Sequence, residues 1–276
     1  MAQEYPFIRL GRLASLSSAL GAWIFFYLYL YYQWSLGTFT QTNPLVLYAL
    51  PSFFLTIAAG AVGGNLYRFL FYKRDGTPIK RKEALIGIPL GLLVGGMLVF
   101  TLHFVSPAFA SIGVPQSIML YAVTPEAPLI INYVHPALSI TNVFSNLGSL
   151  IFSSAALFYL IVALSEEFLV LVTFKLLEDS FGRGKATGVM VVIAGIALSS
   201  LLWSLAHVPA YTSEGIPLIF GITFAAVTGA IVFRWLSELI WHNMNFPFMV
   251  SSHFMYDFML ATTLIPFAFI PYHALL

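Results

Sequence analysis

The chain has no cysteine and very little charge. Without cysteine there is no disulfide, no thiolate metal site, no cysteine nucleophile and no S-acylation site. Only 8% of its 276 residues are charged, against roughly 25% in an average soluble domain. So few charges do not cover the surface of a water-soluble domain of this length. The net charge of +1 excludes a nucleic-acid partner held by a basic footprint. Aromatic residues make up 16% of the chain, and disordered chains are poor in them. What is present is 59% hydrophobic residues, with a mean hydropathy of +0.89. That is the composition of a multi-spanning protein whose solvent is the lipid bilayer.

A membrane-crossing helix needs about 20 mostly apolar residues. Such runs are found at 13–34, 45–72, 84–105, 148–176, 186–209, 216–236 and 246–262, with a shorter tail at 263–276. The sequence therefore predicts an all-α, polytopic membrane helix bundle of roughly seven to eight transmembrane helices. The alternation of an outer-membrane barrel is absent. Arg9 and Arg12 precede the first run, which ends in Tyr31, Tyr32, Gln33 and Trp34 without a small-residue cleavage pattern. It reads as an uncleaved first span. With the N-terminus in the cytoplasm, Arg9, Arg12, Arg68, Lys73, Arg74, Lys80, Arg81, Lys82, Lys175, Arg183, Lys185 and Arg234 all fall on the cytoplasmic face. The long connection from Ser106 to Leu147 falls outside and carries only Glu126 as a charge. We read one transmembrane domain over 1–276, with 1–147 as supporting helices and 148–262 as the motif-bearing core.

Ionisable residues within a membrane are costly and are functional hypotheses by default. Glu166 and Glu167 stand in an apolar run, with no opposite charge within a turn. Successive residues point about 100° apart on a helix, so one glutamate faces a site while its neighbour faces another helix. Adjacent carboxylates do not both ionise cheaply, which suits a proton acceptor. Trp203 and His207 are four residues apart and share a helix face, as do His253 and Asp257. A carboxylate one turn from an imidazole fixes its tautomer and orientation. A buried structural pair is the plainer reading of each motif alone; the three together suggest one acid/base or metal constellation. Counting along upright helices, however, sets Glu166 and His207 at different depths.

Glu-Glu, then aromatic-x-x-x-His, then His-x-x-x-Asp is an order that resembles the CAAX prenyl protease and bacteriocin-processing (CPBP, or Abi) family of intramembrane endopeptidases. The resemblance runs from Glu166 to Asp257, about a third of the chain, and includes the turn and helix start at Asn245 to Ser252. It implies an eight-helix bundle with its site inside and open to the cytosol. It implies Glu166 as the water-activating base with Glu167 in support, and His207 orienting the water. His253 and Asp257 then form the oxyanion or ligand pair, and Trp203 lines the pocket. The sequence departs from the family pattern at three places. Leu171 stands where the family usually has Arg, Trp203 where it has Phe, and Asp257 where Asn is commoner. The implied substrate is a membrane-associated peptide or prenylated protein.

A catalytic zinc needs roughly three protein ligands; His207, His253 and Asp257 or Glu166 are the candidates. No His-Glu-x-x-His is present. Metal-free and zinc mechanisms both stay open, with a slight preference for the metal-free one. Two other function classes also use such residues. Intramembrane Glu, His and Asp build proton relays in transporters, although no internal repeat supports that reading. A catalytically silent scaffold or immunity protein on the same fold is the third.

Overall fold

In a computed structural model, residues 77–111, 154–181, 185–206, 218–242 and 244–259 are described, with isolated positions before residue 55. Six α-helices account for nearly all of them. They are α1 (Arg81–Ser111), α2 (Ser154–Phe181), α3 (Lys185–Ala206), α4 (Leu218–Thr228), α5 (Leu236–Trp241) and α6 (Phe246–Met259). A π-helical segment, Gly229–Trp235, joins α4 to α5 without a break. The expected runs at 84–105, 148–176, 186–209, 216–236 and 246–262 all overlap these helices. Those at 13–34, 45–72 and 263–276 lie outside the described residues, apart from isolated helical positions in the first two.

Three helix ends differ from expectation by five residues or more, and the first is α2, which continues past 176 to Phe181. Helix α1 runs past Pro107 to Ser111, into the stretch read as a connection. Proline removes one backbone donor, and spanning helices tolerate that where neighbours or local adjustments satisfy the freed carbonyl. The run expected to end at 236 continues to Trp241. His242 then stops it with a left-handed backbone at φ 51°, a conformation that closes helices.

Two stretches, Arg81–Val99 and Ile222–Trp241, are long and apolar enough to cross a membrane, with mean hydropathies of 1.6 and 1.4. Their apolar side chains do not all turn inward. Leu85, Ile86, Leu93 and Met97 are exposed on α1, as are Ile231, Leu239 and Ile240 on the second stretch. The interior holds much of the polarity instead: Ser165, Glu166, Glu167, Ser200, Ser204, Arg234, Ser252, His253 and Asp257 are all buried. An apolar exterior around a polar interior suits a lipid solvent, since apolar side chains facing lipid cost nothing to leave exposed.

Helices α1 and α6 make the most extensive helix–helix contact in the described structure. Gly87, Gly91 and Gly95 line it at four-residue spacing. A β-carbon added at Gly91 would meet the Ser251 hydroxyl and come to 2.6 Å from the Phe248 carbonyl oxygen. One at Gly95 would meet the Ser252 carbonyl and come to 3.0 Å from the Tyr256 amide. These glycines let the two backbones approach closely, the usual route to helix association in lipid.

The start of α6 is tied down separately. The Asn245 side chain accepts the Phe248 amide at 3.3 Å, an N-cap bond. Its amide group donates to the Glu83 carbonyl on α1 at 3.2 Å. Its backbone amide donates to Ser237 Oγ on α5 at 2.7 Å. One residue thus fixes α6 against two other helices.

Gly91→Ala is expected to destabilise the protein by about 1–3 kcal/mol through overpacking against backbone. Gly96→Ala is the control. Its β-carbon would meet chiefly the flexible Met259 sulfur, at 3.3 Å. Thermal unfolding in detergent should separate the two variants clearly; equal midpoints would refute the close α1–α6 contact.

Candidate active site

Three helices and the π-helical segment converge on one buried cluster. Glu166 and Glu167 come from the middle of α2, and Ser200 and Trp203 from α3. Phe233 and Arg234 come from the π-helical segment, and His253 and Asp257 from α6. Glu167 and Arg234 are both 0% exposed, while Glu166 and His253 are 1% and 2% exposed. Burying so many ionisable groups is tolerable only if they satisfy one another.

Glu167 Oε1 is the hub. It accepts from Arg234 Nη2 at 3.0 Å and lies 2.9 Å from His253 Nδ1. On the other side of the ring, His253 Nε2 is 3.2 Å from Asp257 Oδ2 and 3.7 Å from Glu166 Oε2. An ionised carboxylate only accepts. The ring therefore donates from both nitrogens, or shares a proton with one of the acids. Trp203 Nε1 donates to Glu166 Oε2 and Arg234 to Glu167, while His253 stands between the two glutamates. The separate donors, Trp203 and Arg234, follow from helix geometry, since adjacent side chains point in different directions.

Two aromatic rings pack on the imidazole. Phe233 stacks on His253 with ring centres 5.0 Å apart, and the Trp203 ring meets it edge-on at 5.4 Å. Arg234 lies over the Trp203 ring at 5.3 Å, within cation–π range. Its Nη1 donates to Ser200 Oγ at 3.0 Å. Ser204 Oγ donates to the Ile222 carbonyl at 2.6 Å, joining α3 to α4 just ahead of the π-helical segment.

The structure brings together Glu166, Glu167, Trp203, His253 and Asp257 from the motifs. His207 lies outside the described residues. Trp203, one turn before it, nevertheless touches Glu166, so the end of α3 stands at the level of Glu166. The depth mismatch counted from upright helices does not apply at Trp203. Leu171 is buried among apolar residues, Phe174 included, and carries no part of the site.

The sequence alone reads Arg234 as a marker of the cytoplasmic face. Its side chain is instead fully buried against Glu167. The available signal was its position between Phe233 and Trp235 in an apolar run, because a charge there is a functional hypothesis by default. Ser200 and Phe233 gave no comparable signal.

A zinc-bound imidazole needs one ring nitrogen with a free lone pair, while the other commonly donates to a carboxylate. Glu167 fits the second role, but Asp257 occupies Nε2. Among the described residues no group of three His, Asp or Glu side chains is arranged to hold a metal. The described residues do not by themselves make a zinc centre.

No protein-family model, curated protein or solved structure matches the chain.

Trp203→Phe keeps an aromatic ring beside His253 but removes the donor to Glu166. Loss of one donor to a buried carboxylate is expected to cost about 1–3 kcal/mol. Thermal unfolding of purified protein measures it, and an unchanged midpoint would count against the Trp203–Glu166 bond.

Proposed function

We propose that the chain is a polytopic intramembrane endopeptidase of roughly seven to eight spans, similar to type II CAAX prenyl proteases. Its substrate is a membrane-associated protein, prenylated ones included, cut near the C-terminus. The observation that carries this reading is the buried cluster of Glu166, Glu167, His253 and Asp257 on helices with apolar exteriors. A structural interior gains little from so many desolvated charges, whereas hydrolysis needs them.

In this mechanism Glu166 takes a proton from water as the water oxygen attacks the scissile carbonyl. As the oxyanion forms, the Nε2–H of His253 shifts to it from Asp257 Oδ2, its partner at 3.2 Å before substrate arrives. The carbon–nitrogen bond then breaks, the amine takes the proton held by Glu166, and a new carboxyl terminus is left. Glu167 holds His253 through Nδ1, and Asp257 orients the ring from the other side. Trp203 aims Glu166, and His207 orients the water. The mechanism is glutamate-based, with zinc at His207, His253 and Asp257 as the alternative. The N-terminus lies in the cytoplasm, and the site opens to the cytosol.

The chain of contacts from Glu167 through His253 to Asp257 also favours a second reading, a proton relay in a transporter. That reading requires solute flux in liposomes that follows a pH gradient.

Full-length protein in liposomes should cleave at least one member of a panel of prenylated and unprenylated peptides. Glu166→Gln should lower the rate by about 100- to 10,000-fold, the usual span for general-base loss. A chelator should leave cleavage intact, and loss of cleavage with chelator would select the zinc alternative. Wild-type rates in Glu166→Gln would refute the assigned base.

A further inference from the structure

Among the described residues, Arg234 is the one buried Lys or Arg, and the mechanism above gives it no task. Its charge is permanent, because a guanidinium does not lose its proton in proteins. Replacing a buried ion pair with packed apolar groups is often neutral or stabilising, so stability alone does not account for the pair. Its surroundings are built around it. The π-helical pattern is real in the backbone, as the Leu236 amide donates to the Ile231 carbonyl five residues back. Such segments are rare and frequent at functional sites, because the extra residue in the turn re-aims side chains. Within the same turn, Gly229 leaves space for the guanidinium. A β-carbon there would meet Arg234 Nη1 and come to 3.2 Å from the Trp203 ring.

Two contacts of Arg234 lead to groups that the mechanism uses. Nη2 holds Glu167 Oε1, the same oxygen that faces His253 Nδ1. The guanidinium plane lies over Trp203, whose indole donates to Glu166. Ser200 Oγ accepts from Nη1 and anchors the other arm to α3. Two separate paths therefore run from one cation to the two glutamates.

We propose that Arg234 is the positioning residue of this site: aimed inward by the π-helical turn at Gly229, it fixes Glu167 and the Trp203 ring, and through them places His253 and Glu166. Its kinetic part rests on the endopeptidase reading; its structural part does not. Arg234 touches neither water nor substrate in this scheme. Its loss should slow the chemical step without weakening substrate binding.

The test uses full-length protein in nanodiscs with Arg234→Met, Arg234→Lys and Gly229→Ala. Trp203 emission is isolated by subtracting the spectrum of Trp203→Phe. Arg234→Met and Gly229→Ala should both shift that emission. With a cleavable peptide, Arg234→Met should lower kcat by about 10- to 100-fold, the scale for partners behind a site's ligands. KM should stay within about twofold, since uniform binding is untouched. Arg234→Lys should recover part of kcat, keeping the charge but not the planar fork. If Arg234→Met does not fold, Gly229→Ala carries the same expectation, with every charge retained. A folded Arg234→Met or Gly229→Ala with wild-type kcat would overturn the proposal, as would a rise in KM alone. If the wild type cleaves nothing, the endopeptidase reading fails and the emission decides: an unshifted Trp203 overturns the structural part, and a shifted one supports it.

Discussion

The described interior depends on one carboxylate oxygen shared between two cations or donors. Glu167 Oε1 holds both Arg234 and His253 within hydrogen-bond distance. Remove it, and the guanidinium loses its ion-pair partner and the imidazole its bond at Nδ1. Breaking a buried pair from one side costs about 3–5 kcal/mol, because it strands the remaining charge. Three elements meet at this oxygen: α2 brings the glutamate, the π-helical segment the arginine and α6 the histidine. The site's geometry and the packing of the helices are thus the same problem.

Two stretches long and apolar enough to cross a membrane match that solution to a lipid solvent. In water, apolar exteriors would drive association, and a polar interior would compete with solvent. In a bilayer the exterior is already at rest, so helix contacts rely on close packing and interior polar bonds. The α1–α6 contact shows the first of these, with Gly87, Gly91 and Gly95 letting backbones approach. The Glu–Arg–His–Asp cluster shows the second. Helix α1 is therefore more than a passive support, because it sets the position of the helix that carries His253 and Asp257.

Much of this arrangement was legible in the sequence. Low charge and long apolar runs pointed to helices; nearly all the described residues are helical, and two stretches are long and apolar enough to cross a membrane. The pairing of His253 with Asp257 followed from four-residue spacing. Adjacency predicts one glutamate at the site and the other against a neighbouring helix, whereas both meet His253 in one buried cluster. Three features were not read. Arg234 reads as a face marker, because it stands at the end of an apolar run and carries a positive charge. Its inward aim comes from a π-helical turn, which no residue pattern announced. The glycine stripe was present at regular spacing, but which helix it served depended on a contact between residues more than 150 positions apart, such as Gly91 and Ser251.

The most direct measurement of the central claim is the fate of water oxygen during cleavage. Peptide is cut by the reconstituted protein in isotope-labelled water, and the products are weighed by mass spectrometry. The account predicts one labelled oxygen in the new carboxyl terminus with wild-type protein, and no labelled product above background with Glu166→Gln. Unlabelled wild-type product, or labelled product from Glu166→Gln at the wild-type rate, would contradict it.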